Sequence, residues 1–208
     1  MTEKEQADVV LSRKAVFVRC CLNMERGTIM LRRIQEWDTR MLHRIAARHT
    51  KRLDRIMVLV TRTGNNGYIW FLISIPMLFL NRYRAVGYTG ILAMLISAIA
   101  GEVTIKHIVA RVRPCSEEYG QELLIKHPAH YSFPSGHTSA SFSMTAVMFF
   151  MLPILFIPVL IYACMMGLSR IYLLVHYPSD VIAGVVLGSI CGTVAVSVYP
   201  YIPFFPLL

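Results

Sequence analysis

The segment that follows Glu122 constrains the fold most, because it is long, apolar and nearly free of charge. Its charged side chains are Lys126, Arg170 and Asp180 and no others. Apolar stretches of about 20 residues match the hydrocarbon core of a bilayer when they form helices. The whole chain of 208 residues is 55% hydrophobic and 16% charged, which is too apolar for an ordinary soluble domain. We therefore predict an integral membrane protein of the all-α class.

Turn-forming residues divide the chain into a basic part and an apolar part. The run TGNNG at residues 63–67 separates the two. We predict a basic amphipathic region at the membrane interface over residues 1–62 and a membrane-embedded domain over residues 63–208. Apolar runs in the second part lie at residues 68–80, 85–109, 138–152, 154–175 and 181–199. This pattern predicts a polytopic helix bundle with about five transmembrane helices.

The basic region combines arginines with apolar residues at helical spacing. Within residues 28–60, one helical face is apolar and arginines fill the others. The apolar face comprises Ile34, Trp37, Met41, Ile45 and Ile56. The pattern fits an amphipathic helix that lies among lipid headgroups and is broken near Thr50. A solvated helix packed on the rest of the protein fits it equally well.

The formal net charge of +9 raises the question of a nucleic-acid partner. Most cations lie before Thr63 and alternate with apolar residues, which a membrane surface explains better, so no nucleic acid is predicted as a partner. The five cysteines include no C-x-x-C pair and are odd in number. Neither a disulfide framework nor a zinc site is indicated, and no metal or cofactor is predicted.

Alternating passage through the membrane brings three polar segments to one face. The second predicted span ends on the face where the third begins, and the fourth returns to that face before the fifth. The segments are residues 106–114, 134–137 and 169–180. Ionisable groups at membrane depth cost roughly 2.5–3.5 kcal/mol each, so the charged residues among them are functional candidates.

The segment at residues 169–180, SRIYLLVHYPSD, places a cation, an imidazole and a carboxylate around one helix-to-helix turn. Asp180 falls in the first turn of the fifth span, after Pro178, which suits a helix start. An aspartate near a histidine can orient the ring through Nδ1, which leaves Nε2 of His176 as a nucleophile. The spacing permits this pair without requiring it.

The other two segments supply groups that suit an anion. Ser135 and Gly136 offer a hydroxyl and backbone N–H groups at a helix N-terminus, where an oxyanion such as phosphate is stabilised. His137 lies beside that position and can donate a proton to a leaving group. Lys106, Arg111 and Arg113 end the second span and bring the positive charge that phosphoryl transfer requires.

Together the three segments resemble the type 2 phosphatidic acid phosphatase and vanadium haloperoxidase superfamily. Its signature is K-x-x-x-x-x-x-R-P, then P-S-G-H, then S-R-x-x-x-x-x-H-x-x-x-D. The chain matches every position of this signature, in order, at residues 106–114, 134–137 and 169–180. The resemblance covers residues 54–192, and it implies a helical membrane bundle and a metal-independent phosphatase.

The resemblance also implies a role for each matched residue. The phosphate would be bound by Lys106, Arg113 and Arg170, with Ser135 and the backbone of Gly136 completing the site. His176, activated by Asp180, would attack phosphorus to form a phosphohistidine. His137 would protonate the leaving oxygen, and water would then hydrolyse the intermediate.

Charged residues outside the signature are expected to have structural roles. Glu102, within the second span, is expected to pair with a cation inside the bundle. Arg111, His107, His127 and His130 fall outside the signature and are not expected to touch the substrate.

A site at a membrane face suits a lipid phosphate or pyrophosphate whose tail stays in the bilayer. The compact form most resembles bacterial undecaprenyl-diphosphate phosphatases, which implies undecaprenyl pyrophosphate as substrate, with phosphatidylglycerophosphate or phosphatidic acid as alternatives. Two other functions stay open, a vanadate-dependent haloperoxidase and a non-catalytic binder or transporter of phosphorylated lipids. A nucleophile with its own orienting acid and a separate proton donor argues against simple binding.

Charge counts and the resemblance disagree about orientation. Four cations lie on the side of the predicted site, namely Lys51, Arg52, Arg55 and Arg62, and two lie on the other, Arg82 and Arg84. The positive-inside rule then puts the site in the cytoplasm. The resemblance favours the outer face of a bacterial inner membrane. If the basic region docks as an interfacial helix, its charges count for less, and we predict the extracytoplasmic face.

Overall fold

The computed structural model describes residues 29–114, 119, 124–125 and 131–202. Residues 1–28 of the predicted basic region and residues 203–208 of the predicted membrane domain lie outside this part. The described residues form α1 (Ile29–Ala46), α2 (Lys51–Thr63), α3 (Tyr68–Leu78), α4 (Arg84–Ala98), α5 (Lys106–Val109), α6 (Gly136–Met151), α7 (Phe156–Tyr172) and α8 (Pro178–Val198). A π-helical segment, Ile99–Ile105, joins α4 to α5. The all-α prediction is confirmed.

Three helical stretches of the described chain are long and apolar enough to cross a membrane, and they make this an integral membrane protein. They are Asn81–Val109, Pro153–Tyr172 and Pro178–Tyr201. The other two predicted spans are helices too, but α3 has only 11 residues and α6 only 16. A helix rises 1.5 Å per residue, so neither reaches the ~30 Å thickness of the hydrocarbon core by itself. The predicted count of five spans is not confirmed.

Helices α6 and α8 pack closely because glycines line their contact. Gly184, Gly188 and Gly192 recur every four residues on α8 and face the backbone of α6. A methyl group at Gly188 would overlap the carbonyl of Ser139, and one at Gly192 would overlap that of Ser143. Small residues at this spacing let two membrane helices approach until their backbones touch. The contact fixes the start of α6 beside the start of α8.

The N-terminal helices dock on α7 and α8. The predicted break is confirmed, since α1 ends at Ala46 and the hydroxyl of Thr50 caps α2 by accepting a hydrogen bond from the Leu53 N–H at 3.3 Å. The buried residues of α1 include Asp38 and Leu42.

Part of the apolar face predicted for the basic region is exposed. Ile34 and Trp37 are 37% and 39% exposed, and Ile56 of α2 is 42% exposed. The helix instead turns Asp38 and Leu42 inward, because a buried cation described below pairs with the carboxylate. Hydrophobic periodicity does not register a buried ion pair, so it did not reveal that Asp38 faces inward.

Candidate active site

The three signature segments meet at one end of the bundle. The backbone N–H of Ser135, at the start of α6, donates to the carbonyl of Asp180, at the start of α8, at 3.0 Å. The guanidinium of Arg113, after α5, donates to the carbonyl of Val175 at 2.7 Å. The turn before α8 therefore lies between the other two segments. Every residue that the sequence places in the site has a position at this end of the bundle.

The candidate nucleophile is fully enclosed. His176 is 1% exposed and Asp180 is 0% exposed, and His176 Nδ1 lies 3.5 Å from Asp180 Oδ2. That oxygen also accepts hydrogen bonds from the Tyr177 N–H at 2.9 Å and from the Ser132 hydroxyl. The carboxylate is thus held facing Nδ1, at a distance that can shorten when a substrate binds, as catalytic hydrogen bonds often do.

Arg113 covers the other nitrogen of the ring. Its Nη1 lies 2.8 Å from His176 Nε2, and its Nη2 donates to the carbonyl of Tyr131 at 3.1 Å. A guanidinium can only donate hydrogen bonds, so Nε2 carries the lone pair and Nδ1 carries the proton. This is the tautomer that a nucleophilic Nε2 needs.

Burial and positive charge keep this imidazole neutral. Burial lowers the pKa of His176, and the Arg113 and Arg170 cations lower it further, against the pull of Asp180, to about 3. The pKa of Arg113 is also lowered by burial, although Asp180 and Glu102 oppose the shift. At neutral pH His176 is an uncharged base with its lone pair directed at a cation.

Two further cations converge here. Lys106 is 5% exposed and Arg170 is 2% exposed. Arg170 donates through Nη1 to the hydroxyl of Thr61, while its buried Nε has no hydrogen-bond partner among the residues that the structure describes. An unpartnered N–H of a buried guanidinium is costly unless an acceptor reaches it. A bound oxyanion is the natural acceptor.

A carboxylate lies against the N-terminus of α6. Glu102, in the π-helical segment, binds Lys106 Nζ through both of its oxygens at 2.6 Å. A methyl group at Gly136 would overlap this carboxylate, so the Glu102 side chain lies directly against the glycine and would have to move if that position carried a side chain. The expected pairing of Glu102 with a cation of the bundle is therefore found, and it occurs beside the predicted phosphate position.

The other α6 residues of the predicted site contact each other or the turn before α3. The buried hydroxyl of Ser135 lies 2.9 Å from that of Thr138. His137 Nε2 lies 3.1 Å from Asn65 Oδ1, and the charges of Arg170 and Lys106 act on its ring. His137 is thus oriented by a residue from the TGNNG turn, which the sequence identified only as a boundary.

Arg111 lies between two buried carboxylates. Its guanidinium donates to Asp180 Oδ1 at 2.6 Å and to Asp38 Oδ2 at 2.7 Å. Burial opposes its charge, but Asp180 and Asp38 outweigh burial and raise the pKa of Arg111. Its prediction as a residue that does not touch the substrate stands untested, and it binds directly to Asp180, the predicted partner of His176.

The sequence of this chain is similar to those of known phosphatases. The chain is 33% identical over 138 residues to an undecaprenyl-diphosphatase of Sulfolobus acidocaldarius, an alignment that covers 66% of each chain, just under two thirds of that relative's length. It is 30% identical over 148 residues to the undecaprenyl-diphosphatase BcrC of Bacillus subtilis, covering 69% of this chain and 74% of the relative.

A solved structure and a family model agree with these alignments. The crystal structure of a transmembrane PAP2 type phosphatidylglycerolphosphate phosphatase from Bacillus subtilis has the same fold, with a TM-score of 0.69 at 23% identity. It covers 92% of this chain and 98% of that one. The family model described as PAP2 superfamily matches residues 87–203. This range is more than half of the chain and contains all three signature segments. The chain belongs to the PAP2 superfamily.

Proposed function

We propose that this protein is a lipid phosphatase that hydrolyses a membrane-anchored phosphate or pyrophosphate without a metal ion. The family membership and the names of the relatives support the phosphatase activity. The apolar helices that flank the site support a substrate whose tail stays in the bilayer.

The phosphate is proposed to bind where the cations meet. Lys106, Arg113 and Arg170 supply positive charge, and the Gly136 N–H and the Ser135 hydroxyl complete the site at the N-terminus of α6. Binding would satisfy the buried Nε of Arg170. Arg113 would exchange its contact with His176 Nε2 for a phosphate oxygen, which uncovers the nucleophile as the substrate arrives.

The reaction then has two steps. His176 Nε2 attacks phosphorus and forms an N–P bond while the bond to the leaving oxygen breaks, and His137 gives that oxygen its proton. Asp180 stabilises the positive charge that develops on the ring of His176. In the second step water attacks phosphorus, His137 accepts a proton from it, and phosphate leaves as the N–P bond breaks. The cations stabilise the charge on the phosphoryl oxygens in both transition states.

One observation carries the proposal: the ring of His176 is held between a carboxylate at Nδ1 and a guanidinium at Nε2 in a buried site. A structural histidine has no need of a cation against its lone pair. The arrangement fits a nucleophile whose target is an anion bound by that same cation.

Undecaprenyl pyrophosphate is the proposed substrate, because two relatives at 33% and 30% identity are named undecaprenyl-diphosphatases. Phosphatidylglycerophosphate and phosphatidic acid are the alternatives to test beside it. The test is phosphate release by the purified protein in detergent with EDTA, using each of the three lipids, with His176→Ala as the control variant. Release that survives EDTA and disappears in the variant is expected. Equal release by the variant, or none by the wild-type protein with any lipid, would overturn the proposal.

We also propose a domain arrangement and an orientation. Residues 1–62 would form an interfacial basic region and residues 63–208 the membrane domain of a bacterial inner-membrane protein, with the site at the extracytoplasmic face. Tyr131, at the site end of the bundle, and Asn81, at the other end, are both exposed. The test introduces Tyr131→Cys or Asn81→Cys into a variant without other cysteines. A membrane-impermeant thiol reagent applied to intact cells should label the first and not the second. The reverse pattern would place the site in the cytoplasm.

A further inference from the structure

A single guanidinium links the N-terminal helix α1 to the catalytic carboxylate. Arg111 Nη1 donates to Asp180 Oδ1 at 2.6 Å and to the Ser179 hydroxyl at 2.7 Å. Its Nη2 donates to Asp38 Oδ2 at 2.7 Å and to Gln35 Oε1 at 2.6 Å. The four N–H bonds of the two terminal nitrogens are thus all directed at protein oxygens. Arg111 is therefore occupied with the protein and is not placed to bind phosphate.

Asp38 holds this arrangement from the side of α1. Its carboxylate is fully buried, and besides Arg111 it accepts a hydrogen bond from the Ser179 N–H at 2.9 Å. That N–H belongs to the first turn of α8, where a helix favours negative charge. A buried carboxylate is very costly without such partners. Asp38 thus holds both the Arg111 guanidinium and the first turn of α8 in place.

The ring of Tyr177 limits the position of Arg111 further. The guanidinium carbon lies 4.0 Å from the centre of that ring, within the range of a cation–π contact. With oxygens in its plane and a ring on one face, the guanidinium has a single orientation. Because Arg111 occupies Oδ1 of Asp180, the other oxygen, Oδ2, is the one that faces His176 Nδ1.

We propose that Asp38 and Arg111 are positioning residues for the reaction, acting through Asp180 on the orientation and basicity of His176. This inference rests on the proposed phosphatase function and deepens it. It assigns α1 a part in the active site, although α1 lies wholly before the residues that the family model matches. Neither residue contacts the phosphate-binding cations in the hydrogen bonds described above, so their effect should fall on the attack of His176 and not on anion binding.

The experiment compares Asp38→Asn with Glu36→Gln, which removes an exposed carboxylate from the same helix. Each variant is purified as the full chain, and kcat and KM are measured for phosphate release from undecaprenyl pyrophosphate, together with inhibition by orthovanadate as a phosphate mimic. Asp38→Asn should lower kcat by about ten- to a hundredfold, the scale on which a small displacement of a catalytic group acts. KM and vanadate inhibition should stay within about twofold of wild type, and Glu36→Gln should resemble wild type throughout.

Two more variants keep the test decisive if Asp38→Asn does not fold. Arg111→Lys retains the charge but cannot reach both carboxylates in one plane, and it should reproduce the kcat defect. Gln35→Leu removes one bond to Nη2 and should give a smaller defect in the same direction. In the double variant Asp38→Asn with Arg111→Lys, the two losses should be clearly less than multiplicative, because both act through one carboxylate.

The outcomes separate this inference from the proposed function. An active wild-type protein with unchanged kcat in Asp38→Asn and Arg111→Lys overturns the inference alone. Parallel loss of kcat and of vanadate inhibition also overturns it, since that result means general disruption of the site. An inactive wild-type protein overturns the proposed function and the inference with it.

Discussion

Glu102 binds Lys106 through both carboxylate oxygens at 2.6 Å, within the site proposed for phosphate. The same carboxylate lies against Gly136 at the N-terminus of α6, a position that favours anions. Glu102 thus makes contacts that a phosphate group is expected to make. A substrate has to displace this side chain or share Lys106 with it.

Replacing Glu102 by glutamine should therefore strengthen anion binding. The substitution removes a negative charge beside the incoming phosphate, and because the Glu102 side chain is 41% exposed, solvent screens part of the gain. We expect orthovanadate to inhibit Glu102→Gln roughly five- to tenfold more tightly than wild type, which corresponds to about 1 kcal/mol. Inhibition constants measured at fixed ionic strength test this. Weaker inhibition would show instead that Glu102 is needed to hold Lys106 in place.

The stability of the protein should depend on pH through His176. Its pKa is about 3 in the folded protein and about 6.5 in an unfolded chain, so the fold favours the neutral ring. This contribution is complete above about pH 6.5 and is lost as the pH falls from there towards 3. The apparent Tm in detergent should consequently decrease between pH 7.5 and pH 5.

A variant without the imidazole isolates this effect. His176→Gln should show a shallower decrease in apparent Tm over the same pH range, whereas His107→Gln, at an exposed position, should keep the wild-type slope. Scans at one heating rate make the slopes comparable. Parallel slopes for wild type and His176→Gln would contradict the neutral, buried state of this residue.

The contact between Asn65 and His137 predicts an effect that depends on the leaving group. Asn65 Oδ1 lies 3.1 Å from His137 Nε2 and orients the proposed proton donor. Asn65→Ala should slow hydrolysis of a lipid phosphate by about tenfold or more, because an alkoxide needs its proton in the transition state. Hydrolysis of p-nitrophenyl phosphate should change much less, since p-nitrophenolate leaves without protonation. Equal losses for both substrates would argue against proton donation by His137.

The glycines of α8 predict where the bundle tolerates no added volume. Gly188→Ala places a methyl group against the carbonyl of Ser139, and the overlap should destabilise the protein by about 1–3 kcal/mol. Val186→Ile adds a similar volume at a position that is 54% exposed and should be close to neutral. Apparent Tm values in the same detergent compare the two. A Tm unchanged in Gly188→Ala would mean that α6 and α8 are able to separate at little cost.

The sequence predicted those parts of the structure that depend on local pattern. Apolar runs identified helices α3 to α8, and a break near Thr50 was also predicted. The signature positions could be assigned from spacing, because their order and spacing are what the family shares. The number of spans stays a prediction, since α3 and α6 are shorter than the hydrocarbon core.

Residues that act across long sequence separations could not be found in this way. Asp38 and Ser179 are 141 positions apart, and Asn65 and His137 are 72 apart. One acidic residue among arginines and one asparagine in a turn have many local explanations. Only the packing of α1 and of the TGNNG turn on the site distinguishes these two side chains from their neighbours.

The π-helical segment Ile99–Ile105 sets the direction in which the Lys106 side chain leaves the helix axis. Each residue of an α-helix turns the chain by about 100°, and a π-helical turn takes up more residues than an α-helical one. Deleting one residue from this segment would let it rewind as an α-helix and would rotate everything after it about the helix axis. Lys106 would keep its neighbours in the sequence and its charge, yet its side chain would turn away from the proposed phosphate site. The proposed role of Lys106 thus depends on the number of residues in the π-helical segment as well as on its own amino group.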